Sequence, residues 1–157
     1  MLGIALGASV MWAVGARNEV QRLTAQVDAM SRSASLALLD HQSASERLRG
    51  VEWTARSAPD DRVVAALVDA VKHDSSVNVR LAAIESLRPL LDRPEVAPEL
   101  LATLGGEAPA IVRVSLAETL LTGNVEGSRP AVEKMLDETE LEPAVRDRLQ
   151  DIMRSSS

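Results

Sequence analysis

An arginine recurs in this chain at a fixed interval of 33 residues, at positions Arg47, Arg80, Arg113 and Arg146. An acidic residue follows each of them by five positions: Glu52, Glu85, Glu118 and Asp151. A valine directly precedes the last three arginines. Agreement at several offsets over four copies is hard to obtain by chance, and periods of roughly 20–50 residues are typical of solenoid proteins. The spacing therefore predicts a stack of repeated units.

Each unit has the pattern of two helices. In the second unit, the first helix is predicted over Val77–Leu91, where apolar residues recur at helical spacing. The second helix is shorter and is predicted in successive units over Val63–Val71, Val96–Leu104 and Pro130–Leu136. Pro89 falls late in the first pattern and is expected to end or kink that helix. Because alternating β-branched runs are missing, the sequence predicts an all-α fold.

Composition excludes several classes of function. The chain has 157 residues, no cysteine, two histidines and a net charge of −6. It therefore has no disulfide, thiolate zinc site or thiol nucleophile. Nucleic acid is an improbable partner, because there is no basic excess to bind phosphates and only two tryptophans could stack on bases. His41 and His73 are isolated, so no catalytic residue, metal or cofactor is predicted.

The first sixteen residues carry no charge, and residues 1–16 are predicted to form a transmembrane anchor. A signal peptide ending at Val14-Gly15-Ala16 and a buried core helix are the alternatives. The run is short for a membrane span, since 16 residues of helix cover only roughly 24 Å. Arg17 and Arg22 follow it, and this charge bias alone would keep the remaining chain in the cytoplasm.

A heptad pattern follows in residues 17–42, which are predicted to form a helical stalk. Apolar residues alternate at three- and four-residue steps: Val20, Leu23, Val27, Met30, Ala34 and Ala37. One interpretation is a short coiled coil that joins two copies of the chain. The other is a single amphipathic helix lying against another surface. Leu36, Leu38 and Leu39 broaden the apolar face and are expected to pack on the repeat domain.

The units Asp74–Leu87 and Glu107–Leu120 resemble HEAT repeats of the short, lyase-like bacterial type. The resemblance implies an α-solenoid of about three and a half helix pairs over residues 43–154. It also implies a ladder of hydrogen bonds between repeats, formed by Asp74, Arg80, Glu107, Arg113, Glu140 and Arg146. Arg47 matches in register, but His41 replaces the acid, so the first unit is expected to act as a cap.

An apolar span, a stalk and a short HEAT array together resemble membrane-anchored HEAT proteins of some bacteria. The resemblance implies a single-pass inner-membrane protein with periplasmic repeats, preceded by an anti-sigma-like zinc-binding domain. This chain has neither that domain nor any cysteine. Either it is a shortened relative, or its true start lies upstream of Met1.

The absence of any motif for catalysis favours a non-catalytic scaffold for protein partners, tethered to the membrane and acting in envelope or sigma-factor signalling. A lyase-like HEAT enzyme or enzyme subunit and a purely structural spacer are the alternatives. Residues on the second helices are the candidates for partner contact: Asp69, Lys72, Glu99, Glu133 and Asp137. Trp53 is interpreted as a cap on the core or as a binding hot spot. Residues 155–157 are predicted to be a disordered tail.

Overall fold

The computed structural model describes residues 3–54, 60–138 and 140–155, with side chains from residue 19 onward. These residues form α-helices and one short 3₁₀ helix, Arg88–Leu90, and contain no strand. The helices are α1 (Gly3–Leu39), α2 (Ala44–Thr54), α3 (Asp61–His73), α4 (Val77–Leu87), α5 (Val96–Leu104), α6 (Ala110–Thr122), α7 (Ser128–Glu138) and α8 (Pro143–Ser155). The predicted all-α class is confirmed.

The helices pack in two rows. In the first row, α2, α4, α6 and α8 contact one another in succession. In the second row, α1, α3, α5 and α7 do the same. The rows are joined where α1 packs on α2, α3 on α4, and α5 on α6. This repeat-like arrangement fits an α-solenoid, in which each helix pair contacts mainly its neighbours.

The hydrophobic core lies between the two rows and is built almost entirely from Leu, Val, Ile and Ala. In α5, Val96, Leu100 and Leu104 follow one another at four-residue steps and are completely buried. Ala83 and Ala117 are also completely buried, one on α4 and one on α6. Small side chains at such positions let neighbouring helices approach closely, which explains how the array forms a core with almost no aromatic residues.

The observed helix ends differ slightly from the predicted ones. α4 ends at Leu87 and passes into the 3₁₀ turn at Arg88–Leu90, so it is shorter than the predicted Val77–Leu91. The cause is Pro89, which cannot donate the backbone hydrogen bond that would continue the helix. The second helices α3, α5 and α7 lie where the sequence predicts them, and α3 and α7 extend two residues further at each end.

The first helix overturns the predicted localisation. α1 has 37 residues and runs without a break through the stretches assigned to the anchor and to the stalk. Among the described residues, no helix combines the length and the apolar character needed to cross a membrane. The prediction of a single-pass inner-membrane protein anchored by residues 1–16 is therefore wrong. The apolar run covers residues 1–16 and is followed by Arg17. As a helix it is roughly 24 Å long, which is shorter than the hydrocarbon core of a bilayer, about 30 Å thick.

The two chain ends are only partly covered by the structure. Residues 1–2 of the predicted anchor and residues 156–157 of the predicted tail lie outside the described residues. Ser155 is the last residue of α8, so the one described residue of that tail is helical.

Candidate interaction surfaces

Three of the recurring arginines share one structural position. Each lies on a first-row helix and donates to a carbonyl at the C-terminal end of the preceding second-row helix: Arg80 Nε to Val71 at 2.7 Å, Arg113 Nε to Leu104 at 3.2 Å, and Arg146 Nη2 to Leu136 at 2.9 Å. The last carbonyls of a helix lack partners within it and form the negative end of its dipole. A guanidinium there satisfies a carbonyl and fastens each second-row helix to the first-row helix that follows it in the chain.

Arg47 makes a different set of contacts. Its Nη1 donates to the carbonyls of His41 and Gln42, at 3.0 Å and 2.9 Å, just after the end of α1. Its Nε and Nη2 donate to the two carboxylate oxygens of Asp74, at 2.6 Å and 2.8 Å. This bidentate pair joins α2 to the turn between α3 and α4, so it connects the first unit to the second.

The Arg47–Asp74 pair is the most sheltered ion pair in the described part of the chain, with side chains 14% and 5% exposed. The hydrogen bond from Arg47 holds the pKa of Asp74 below its usual value, and burial opposes this. The backbone N–H of Ser76 donates to the same carboxylate and also lowers its pKa. Asp74 therefore stays ionised in the folded chain at neutral pH.

The remaining acids of the predicted ladder occupy turns that match the position of Asp74. Glu107 lies between α5 and α6, Glu140 lies between α7 and α8, and both are exposed. Arg113 Nη2 lies 4.0 Å from Glu138 Oε2. The structure thus brings Arg47 and Asp74 into direct contact between units, and it directs Arg80, Arg113 and Arg146 to helix ends.

The residues predicted to contact a partner divide into paired and open ones. Lys72 Nζ of α3 lies 2.9 Å from Glu99 Oε2 of α5, so these two bind each other across neighbouring second-row helices. Asp69 Oδ1 lies 2.8 Å from His73 Nδ1 on the exposed face of α3. Glu133 and Asp137 are exposed on α7.

Trp53 does not belong to the second-row surface. It lies on α2, in the first row, with 41% of its surface exposed. Trp53 is therefore partly open to solvent. A cap on the core explains its buried part, and its exposed part is accessible to a partner.

Two open grooves lie beside the recurring arginines. One of about 600 Å³ follows the turn between α5 and α6 and is lined by Glu107, Arg113 and Glu138 among others. The other, of about 480 Å³, lies between α1 and α3 and includes Asp69, His73 and Asp74. Neither groove is lined by a serine, threonine, cysteine or lysine side chain that could act as a nucleophile. Within the described ranges, no group of three or more metal-ligating side chains occurs.

The junction between α1 and α2 depends on Gly50, whose close packing was not predicted from the sequence. A Cβ added to Gly50 would lie 2.9 Å from Leu38 Cβ and 2.9 Å from the backbone nitrogen of Leu39. Only glycine permits this approach. A signal was present, because the same repeat position holds Ala83, Leu116 and Leu149 in the other units.

The C-terminal end of α1 also docks on the array through side chains. Leu36 and Leu39 pack against the core, as predicted, and Ser35 is buried. Arg32 Nη1 binds Asp60 Oδ2 at 2.9 Å. Asp60 also accepts from the backbone N–H of Val63 as the N-cap of α3, and that bond, more than Arg32, lowers its pKa.

Comparison with known proteins adds no relative. No protein-family model, curated protein or solved structure matches this chain. The resemblance to HEAT repeats therefore stays a prediction from the sequence.

Proposed function

We propose that this chain is a short HEAT-like α-solenoid of about three and a half repeats that serves as a non-catalytic scaffold for a protein partner. The succession of contacts along each helix row, in step with the 33-residue sequence period, supports the proposal. Stacked helix pairs present an extended surface for binding. Such a surface suits recognition of another protein better than enclosure of a small substrate.

The partner surface is formed by three of the second-row helices, α3, α5 and α7. Its exposed carboxylates outnumber its exposed Lys and Arg side chains: Asp61, Asp69, Glu133, Asp137 and Glu138 against Arg62 and Lys134. Lys72 and Glu99 neutralise each other, so they add no net charge. The whole chain carries a net charge of −6, which reinforces the negative potential of this row. The chemistry of the surface therefore favours a protein with a basic face.

Two kinds of contact hold this surface in a fixed shape. The arginine bonds to helix ends tie each second-row helix to the first-row helix that follows it. The Arg47–Asp74 pair fixes the first unit against the second. A surface that is already ordered loses little conformational entropy on binding, which favours affinity.

Crosslinking with mass spectrometry on the tagged chain in its native cells tests the proposal. We expect a recurrent partner that is lost when α7 carries Glu133→Lys with Asp137→Lys. The matched control is Glu52→Lys with Asp147→Lys, which makes the same charge change at exposed positions of the first row. Equal loss in both variants would contradict binding by the second row. A chain with no recurrent partner would instead favour a structural spacer.

A further inference from the structure

Four large apolar side chains of α1 lie open to solvent in one row, which we call the stalk stripe. They are Val20, Leu23, Val27 and Met30, exposed by 63%, 55%, 61% and 68%. Every residue from 19 to 30 is exposed, so this stretch of helix lies beyond the array. A contiguous apolar row of this kind is typical of an interaction surface, whereas scattered exposed apolar residues need no explanation.

The spacing of the stalk stripe fits another helix. Its steps of three, four and three residues give a period of 3.5, which keeps an apolar seam facing a partner helix. Val20 and Val27 take the heptad position a, and Leu23 and Met30 take position d. In a parallel coiled coil, valine at both a positions with leucine at one of the two d positions favours two strands.

The charges beside the stripe permit the partner to be a second copy. The flanking e and g positions hold Glu19, Thr24, Gln26, Ser31 and Ser33, of which one is charged. In a parallel pair in register, Glu19 of one copy faces Thr24 of the other, and Gln26 faces Ser31. No like charges meet, so nothing in the seam opposes self-association.

The docking of the array leaves the stripe free. Arg32, Leu36 and Leu39 contact the array from the outer heptad positions f, c and f, and Leu38, at position e, lies against Gly50 of α2. The stripe ends at Met30, before these contacts begin, and most of them lie on the face of α1 away from the a and d positions.

We propose that the stalk stripe is the seam of a parallel two-stranded coiled coil between two copies of this chain. Eight such side chains bury on the order of 800 Å² in the dimer, below the ~1,200 Å² of a typical stable interface. An interface of this size is typical of weak, reversible association. Because the strands are parallel, the two second-row surfaces lie at the same end and can bind a two-site partner with avidity.

Sedimentation velocity on the full chain, from about 1 to 500 μM, tests the dimer. We expect a concentration-dependent shift from monomer to dimer. Leu23→Glu with Val27→Glu should raise the dissociation constant at least about 100-fold, because it places facing carboxylates in the seam. Gln21→Glu with Ala25→Glu adds the same charge on the outer face and should leave the dimer intact. A chain that stays monomeric, or a dimer that survives the seam variant, would overturn the proposal.

Disulfide trapping tests the parallel register. The chain has no native cysteine, so any disulfide must come from the introduced residue. Leu23→Cys should form an intermolecular disulfide under mild oxidation, whereas Ala25→Cys on the outer face should remain reduced. Equal crosslinking of the two variants would exclude the seam.

Binding to phosphatidylcholine vesicles tests whether the stripe contacts lipid instead of a second copy. A chain that is monomeric in buffer, and that binds the vesicles only when Leu23 and Val27 are intact, uses the stripe for lipid. This result too would overturn the dimer.

Discussion

The stalk and helix α3 carry apolar residues of the same kinds, valine and leucine, at helical spacing. In the stalk, Val20 is 63% exposed and Leu23 is 55% exposed, whereas Val64 and Leu67 of α3 are completely buried. The difference lies in their neighbours. α3 contacts α1, α4 and α5, but residues 19–30 of α1 extend past the array. An apolar face indicates that a helix can gain stability by burying that face. Whether the face is buried within the same chain depends on which helices pack beside it.

The two regions also differ in how they are held. The array has a continuous core between its rows, so each helix is stabilised along its length. Within residues 19–39 of α1, the contacts that hold the helix to the array lie at the C-terminal end: Leu36, Leu39, the Arg32–Asp60 pair and the close approach at Gly50. The four changes below test this contrast, beginning with the largest expected effect.

Leu100→Ala should lower the free energy of unfolding by about 2–5 kcal/mol, since the side chain is completely buried and its removal leaves a cavity. Leu23→Ala is the matched change in the stalk. At concentrations where the chain is monomeric, we expect it to alter stability by less than about 0.5 kcal/mol. Urea unfolding followed by circular dichroism measures both. Equal losses would mean that the stalk is part of the cooperative core.

Gly50→Ala should lower stability by about 1–3 kcal/mol, because the new methyl group collides with the backbone of α1. Hydrogen exchange should show the loss of protection concentrated at the junction of α1 with α2. Gly105→Ala is the control: its Cβ would lie 3.7 Å from the nearest atom, and the φ of −76° suits alanine. If both variants behave alike, the close approach at Gly50 does not hold the stalk.

Asp74→Ala should lower stability by about 1–2 kcal/mol at neutral pH, through loss of its hydrogen bonds to Arg47 and Ser76. Asp151→Ala, in an exposed pair with Arg154, should cost less than about 0.5 kcal/mol. Chemical denaturation of each variant beside the parent chain gives the comparison.

The Asp74 contribution should depend on pH. Its pKa is lowered in the folded chain, so the stabilisation is fully present above the unfolded value near 4 and is lost as pH falls through the lower folded value. The difference between the parent chain and Asp74→Ala should therefore shrink below about pH 4. A difference that stays constant across this range would show that the carboxylate charge is not what stabilises the junction.

Lys72→Ala should have the smallest effect, about 0–1 kcal/mol, although its bond to Glu99 spans two helices. The two side chains are 36% and 45% exposed, so water screens the pair. Thermal unfolding at low and high salt measures it, and Arg88→Ala, in an exposed pair within one turn, is the control. A loss of several kcal/mol in stability would show that this exposed pair contributes as much as a buried core residue. That result would contradict the contrast between core and surface.

Some of the fold could be read from the sequence because it is local. The 33-residue period located the helix pairs, and the apolar spacing in Val96–Leu104 matches α5 in full. Pro89 marked where α4 ends, since a proline acts on its own helix. The arginine period was also evident, but the acceptors at Val71, Leu104 and Leu136 were not. Those carbonyls become neighbours only when the helices fold back on each other.

What the sequence determined by itself was the all-α class, the repeat length and the faces that each helix must cover, because these follow from periodicity and from the backbone chemistry of Pro and Gly. Tertiary structure decided which faces are covered within the chain. It buried the stripe of α3, left the stripe of the stalk open and closed the junction around Gly50. It also showed α1 as one helix that does not meet the requirements of a membrane span. Burial depends on the neighbours that packing brings together, and a linear pattern does not specify them.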